Sequence, residues 1–76
     1  NNKIKLNWNT VGQNINYVVE RKDVNGHFKI IYDGSSLTYD DLNVVKNKKI
    51  IYRMTAYTTS EKVYSDYTSN IEILVK

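Results

Sequence analysis

The sequence predicts an all-β fold, an antiparallel two-sheet sandwich of about six strands, and three observations point to it. Apolar residues recur at every second position in most segments, which is the strand period, and at helical spacing over two turns in none. Turn-forming residues interrupt those segments at intervals of about ten residues, the spacing of a sandwich or barrel. Twenty-two of the 76 residues are Ile, Val or Thr, whose β-branched side chains fit a pleated, half-buried surface.

The elements follow in order. Ile4, Leu6 and Trp8 face one side of a first strand, with Lys5 and Asn7 on the other, and residues 9–14 read as a turn. A second strand from Ile15 to Lys22 presents Tyr17 and Val19 on one face. Asp23-Val24-Asn25-Gly26 ends it, since Asn-Gly supplies the two positive-φ residues that a tight hairpin needs. Phe28, Ile30 and Tyr32 alternate in the returning strand, and Asp33-Gly34-Ser35-Ser36 breaks the chain. A short strand covers Leu37 to Asp40, and a polar connection from Asp41 to Lys49 holds the apolar pair Val44-Val45. The longest strand runs from Ile50 to about Thr58. It has Ile50, Tyr52, Met54 and Ala56 on one face and Ile51, Arg53, Thr55 and Tyr57 on the other. Thr59-Ser60-Glu61-Lys62 reads as a turn, and a last strand carries Ile71, Ile73 and Val75. The expected core is Leu6, Trp8, Tyr17, Val19, Tyr39, Tyr52, Met54, Ala56 and Ile73.

Size and composition set limits on this core. A single domain spanning 1–76 is the upper bound, and a chain this short buries only about 60% of its unfolded surface. There is no cysteine, so neither a disulfide nor a thiolate metal site supplements the packing. A hydrophobic share of 41% with 12% aromatic residues excludes a solvated coil. No apolar run approaches the roughly 20 residues of a membrane span. The net charge is +3, and its one concentrated stretch, Lys46-Asn47-Lys48-Lys49, reads as a solvated turn with no stripe for nucleic acid. Asn, Lys, Ile and Tyr make up 34 of 76 residues, all drawn from AT-rich codons.

Taken together, these segments resemble a fibronectin type III domain of the bacterial kind. Ile4-Lys5-Leu6-Asn7-Trp8 is similar to that family's second strand, which ends in an inward Trp. Asn16-Tyr17-Val18-Val19-Glu20-Arg21 resembles its third strand, and Thr38-Tyr39-Asp40-Asp41 its Ser-Tyr-x-Asp segment. Tyr52-Arg53-Met54-Thr55-Ala56-Tyr57 resembles the sixth strand, and Ser69-Asn70 the entry to the last. The resemblance covers nearly the whole chain through the order and spacing of degenerate motifs.

Three departures accompany it. The family's first strand is either cut off or absent, which leaves Lys3 to Asn9 as a sheet edge with unpaired backbone groups. Val44 and Ile50 occupy the positions of the corner tyrosine, and Ile50 there still fills volume. Asn47 stands where a Gly often sits, and Asn tolerates positive φ.

Candidate chemistry is sparse. His27 follows Asn-Gly at a hairpin tip and reads as an exposed turn residue. Asp40 and Asp41 are adjacent on a strand, so they face opposite ways and cannot easily share a proton; one of them is expected to cap the turn. Asp23-Val24-Asn25-Gly26 lacks the remaining oxygen ligands of a calcium loop. No phosphate-binding, dinucleotide-binding or nucleophile-elbow motif occurs. No catalytic residue, metal ligand or cofactor is therefore expected.

Tyr57, Tyr64 and Tyr67, with Arg53 nearby, form the one candidate ligand surface, an exposed aromatic platform for sugar rings or a neighbouring domain. Glu61 and Asp66 are its candidate acidic partners. The resemblance implies a non-catalytic, monomeric spacer or interaction module of a larger secreted or cell-surface bacterial protein, such as a carbohydrate-active enzyme. Its expected partners are neighbouring domains, with a carbohydrate or another protein as the alternative, bound through those tyrosines or through an open sheet edge that accepts a partner's strand.

Overall fold

The computed structural model describes residues 3–23, 26–42, 44–65, 68 and 70–75, with Asp23 described in its backbone alone. Those residues form six strands and no helix: β1 (Ile4–Asn7), β2 (Ile15–Asp23), β3 (Lys29–Gly34), β4 (Thr38–Asp41), β5 (Lys49–Thr58) and β6 (Ile71–Leu74). They assemble into two antiparallel sheets, β1-β4 and β3-β2-β5-β6, a β-sandwich-like architecture. The Asn25-Gly26 turn expected between β2 and β3 falls partly outside the described residues.

Register fixes which side chains meet. In β5, Ile50, Tyr52, Met54 and Ala56 point inward, and they stand opposite Asp23, Arg21, Val19 and Tyr17 of β2. Directly opposed residues share a face, so Arg21 lies on the inner face with Tyr17 and Val19. On the second sheet, Ile4 pairs with Asp41 and Leu6 with Tyr39, which puts Asp41 on the inner face as well. The core proper is Val19, Ile50, Tyr52 and Val75, against which Ile4, Leu6, Trp8, Tyr32, Met54 and Ile73 pack half-buried. Tyr17 is buried beside it, and Tyr39 and Ala56 are half-buried.

The aromatic side chains form a row through the inter-sheet space. Trp8 lies 5.9 Å from Tyr17 and 6.2 Å from Tyr32, and Tyr32 lies 5.3 Å from Tyr39, all in tilted arrangements. The interplanar angles of 49°, 48° and 36° avoid the eclipsed face-to-face sandwich that the aromatic quadrupole disfavours. With no disulfide present, this row joins β1, β2, β3 and β4 across the gap between the sheets.

The loop before β5 turns at Asn47, whose φ of 68° bears out the expectation of a positive-φ Asn. Asn47 N–H donates to the Val75 carbonyl at 2.6 Å, and Val75 N–H donates to the Lys48 carbonyl at 2.9 Å. These bonds fasten the chain after β6 to the turn before β5. Ile50 is 2% exposed and fills the core.

Two strands depart from simple alternation. A bulge between the Val19 and Glu20 pairings shifts the register of β3, so that Val19 opposes Tyr32 while Glu20 opposes Ile30. The extra residue, Ile31, packs toward the core and Ile30 is left 63% exposed, because a bulge resets the parity of the strand that carries it. The expected set Phe28, Ile30 and Tyr32 is therefore divided between faces. In β6, Ile71 belongs by register to the inner face, opposite Tyr52, yet it is 53% exposed. The two-stranded sheet is narrower than the four-stranded one and leaves that end of the inner face uncovered.

Gly34 shows how tight the aromatic row is. A Cβ at this position would sit 2.5 Å from the Tyr32 hydroxyl and 2.9 Å from Cζ of its ring. That hydroxyl accepts a bond from Ser36 N–H at 2.9 Å, and the ring is held between Trp8 and Tyr39. Gly34→Ala is expected to destabilise the fold by about 1–3 kcal/mol through overpacking, read as a lower urea midpoint. An unchanged midpoint would mean that Tyr32 swings aside freely.

Candidate functional site

Of the tyrosines expected to form a platform, the two described, Tyr57 and Tyr64, differ in exposure. Tyr57 lies on the outer face of β5, where it is 9% exposed. Its hydroxyl donates to Asp33 Oδ1 at 2.8 Å and accepts from Asn16 Nδ2 at 3.1 Å, so the phenol ties β5 to β2 and β3. Tyr64, 59% exposed, bridges to Tyr57 and stacks on it at 4.9 Å with the rings 31° apart. Tyr67 and Asp66 lie outside the described residues, and Glu61 is exposed in the turn after β5. Only one of the two described tyrosines thus presents an open ring face, and that face is isolated.

Arg53 is engaged elsewhere on the outer face. It donates through Nε and Nη2 to Glu20 Oε1 at 2.9 and 2.8 Å, across the register that sets the two residues opposite each other. Its guanidinium also lies 3.9 Å from the Phe28 ring centroid, with Lys22 Nζ at 4.9 Å from the same ring. Arg53 and Tyr57 are four positions apart, about 13 Å along a strand. The residue between them on that face, Thr55, is itself 6% exposed and donates to the Ser65 carbonyl at 2.7 Å.

The strongest polar constellation is internal. Arg21 Nη1 donates to both oxygens of Asp41, at 2.8 and 2.9 Å, and the Tyr52 hydroxyl donates to Asp41 Oδ2 at 2.7 Å. The Asp41 side chain is 1% exposed and that of Arg21 18%. A buried carboxylate requires such compensation, because an isolated charge in a dry interior is very costly. This arrangement links β2, β4 and β5 and leaves no opening for a ligand atom. Adjacency of Asp40 and Asp41, which suggested that one of them caps the turn, does not show that Asp41 is bound by Arg21 and Tyr52 instead. Asp40, facing the other way as expected, is exposed and lies 3.8 Å from Lys3. Strand parity held the missing signal, because Arg21 shares the parity of Tyr17 and Val19, and Asp41 that of Tyr39.

His27 is exposed, and among the described residues no three His, Asp or Glu side chains converge as metal ligands would. No helix of the structure is long and apolar enough to cross a membrane.

Among the described residues β1 pairs with β4 alone. Two adjoining grooves, about 350 and 240 Å³, run beside it with walls that are largely apolar. Trp8, Met54 and Thr68 line both, and Leu6 and Ile71 line the smaller. No β4 residue lines either, so both lie on the side of β1 away from β4.

No protein-family model and no curated protein matches this chain. Its function must therefore be argued from its own geometry.

Proposed function

We propose that this chain is a non-catalytic module of fibronectin type III type that acts as a spacer or packing element within a larger secreted or cell-surface bacterial protein, such as a carbohydrate-active enzyme. The observation that carries the reading is the engagement of its polar and aromatic side chains within the fold. Tyr57 is held by Asn16 and Asp33, Arg53 by Glu20, and Asp41 by Arg21 and Tyr52. Catalysis needs groups that converge on an open site with free valences for a substrate, whereas these are consumed in joining strands and sheets. The inward Trp at the end of β1, the positive-φ Asn47 and the order of the strand motifs support the family reading, and the fold itself is neutral about function.

A carbohydrate-binding role would require stacking on Tyr57 and Tyr64. Titration of the ¹⁵N-labelled chain with cello-, xylo- and chito-oligosaccharides to millimolar concentration is expected to leave the amide signals of Tyr57, Tyr64 and Arg53 in place. A saturable shift at these positions would replace the spacer reading with a sugar-binding one.

A further inference from the structure

We infer that Tyr57 and Tyr64 form an oxidative cross-linking site, at which a one-electron oxidant joins the two rings in a dityrosine bond. The inference stands on ring geometry and goes beyond the module reading.

Backbone register is the first observation. Tyr57 and Tyr64 are directly opposed in an isolated antiparallel bridge. The hydrogen bonds beside them come from their neighbours, Thr58 N–H to the Val63 carbonyl at 3.1 Å and Ser65 N–H to the Ala56 carbonyl at 2.8 Å. That is the pattern of a non-hydrogen-bonded pair, the closer of the two antiparallel arrangements, with Cα atoms about 4.5 Å apart. The rings accordingly stack at 4.9 Å, 31° from parallel. In the turn between them Lys62 N–H donates to the Thr58 carbonyl at 2.8 Å, which holds the pairing. Every residue of this unit, 56–65, is described.

Access and proton acceptance are the second. Tyr64 is 59% exposed and meets an oxidant in solution, whereas Tyr57 is 9% exposed and is reached through the ring stacked on it. A phenol that loses an electron must also lose its proton, because its radical cation is strongly acidic. The Tyr57 hydroxyl already donates to Asp33 Oδ1 at 2.8 Å, and Asp33 is exposed. A carboxylate therefore stands ready to take the proton and pass it to water. In the other close tyrosine pair, Tyr32 and Tyr39 at 5.3 Å, both rings are half-buried, and the Tyr32 hydroxyl accepts a bond from Ser36 N–H. An oxidant in solution reaches the first pair and is screened from the second.

Each tyrosine gives one electron to the oxidant and one phenol proton, from Tyr57 to Asp33 and from Tyr64 to water. The two radicals couple at ring carbons ortho to the oxygens, forming one C–C bond. The hydrogen on each coupled carbon then moves through solvent to the phenol oxygen and restores the hydroxyl. The net loss is two electrons, taken by two equivalents of the oxidant, and two protons, taken by water. In a chain without cysteine, this bond supplies the covalent tie that a disulfide supplies in other small domains.

The test treats the whole chain at low concentration with photogenerated tris(bipyridyl)ruthenium(III), a one-electron oxidant. The expected product has the monomer mass less two hydrogens and the blue emission of dityrosine. Trypsin should release it as residues 54–62 joined to residues 63–76, the segments that carry Tyr57 and Tyr64. Tyr67 lies in the second segment as well, so Tyr67→Phe should keep the product and Tyr64→Phe should abolish it. At 59% exposure Tyr64→Phe should leave the urea midpoint in place, which separates loss of the reaction from loss of the fold. Asp33→Asn, which keeps an acceptor for the Tyr57 hydroxyl but removes the base, should slow formation about fivefold. The inference is overturned if the treated chain carries no intramolecular bond, or if the linked segments survive Tyr64→Phe. It is equally overturned if the bond joins Tyr32 to Tyr39 or one copy to another. An unchanged rate in Asp33→Asn overturns the role given to that carboxylate.

Discussion

Asp41→Ala is expected to lower the stability of the fold by about 3 kcal/mol, the range found when one partner of a buried ion pair is removed. The loss has three parts. Arg21, with its side chain only 18% exposed, loses the carboxylate that accepts two of its bonds, and the Tyr52 hydroxyl, in a residue 2% exposed, loses its acceptor. A cavity replaces the carboxylate itself. Domains are stable by only about 5–15 kcal/mol, and small ones lie at the low end, so a large fraction of the variant should be unfolded near physiological temperature. Urea unfolding followed by Trp8 emission measures the effect. The triple variant Arg21→Met, Asp41→Leu, Tyr52→Phe should recover much of the loss, because apolar residues of similar volume are no worse than a buried ion pair. If Asp41→Ala unfolds at the wild-type midpoint, the carboxylate is not the polar tie between β2, β4 and β5 that the geometry shows.

Ile50→Ala should cost a comparable amount, about 3 kcal/mol, within the range for truncating a buried aliphatic side chain. Ile50 is 2% exposed, belongs to the cluster with Val19, Tyr52 and Val75, and stands opposite Ile73. For a chain of this size that loss corresponds to a fall in Tm of on the order of 15 °C. Ile30→Ala is the matched control, the same chemical change at a position 63% exposed, and should stay within about 0.5 kcal/mol of the parent. Equal shifts for the two would mean that the β3 bulge does not divide Ile30 from the core as described.

The contrast between Ile50 and Ile30 also marks how far the sequence could be read. Both are isoleucines in alternating strand segments, and alternation alone sets Ile50 on a face with Tyr52 and Ile30 on a face with Tyr32. Ile50 lies on β5, whose pairing with β2 is unbroken from Ile50 to Thr58, so its parity holds over that span. Ile30 lies past a one-residue bulge, and a bulge leaves no mark in local propensity. Tyr57 was legible as an outward residue of β5 but not as a buried one. Its burial depends on Asn16 and Asp33 arriving from β2 and β3 to hold its hydroxyl and on Tyr64 folding back over its ring. Asp41 was misread for a related reason. Hydropathy marks an aspartate as solvated, and only the approach of Arg21 from the facing sheet makes its burial tolerable.

By itself the sequence determined the local order of this protein: β-branched alternation, turn residues at the breaks, an Asn at the positive-φ position before β5, and Trp8 and Tyr52 on inward faces. These depend on backbone sterics and on the two-residue period of a strand, which act between near neighbours. Only the tertiary structure decided which charges are buried and which tyrosines are covered. Each of those is settled by a side chain or a strand distant in sequence, and the free energy of a polar group in the interior is set by what it meets there.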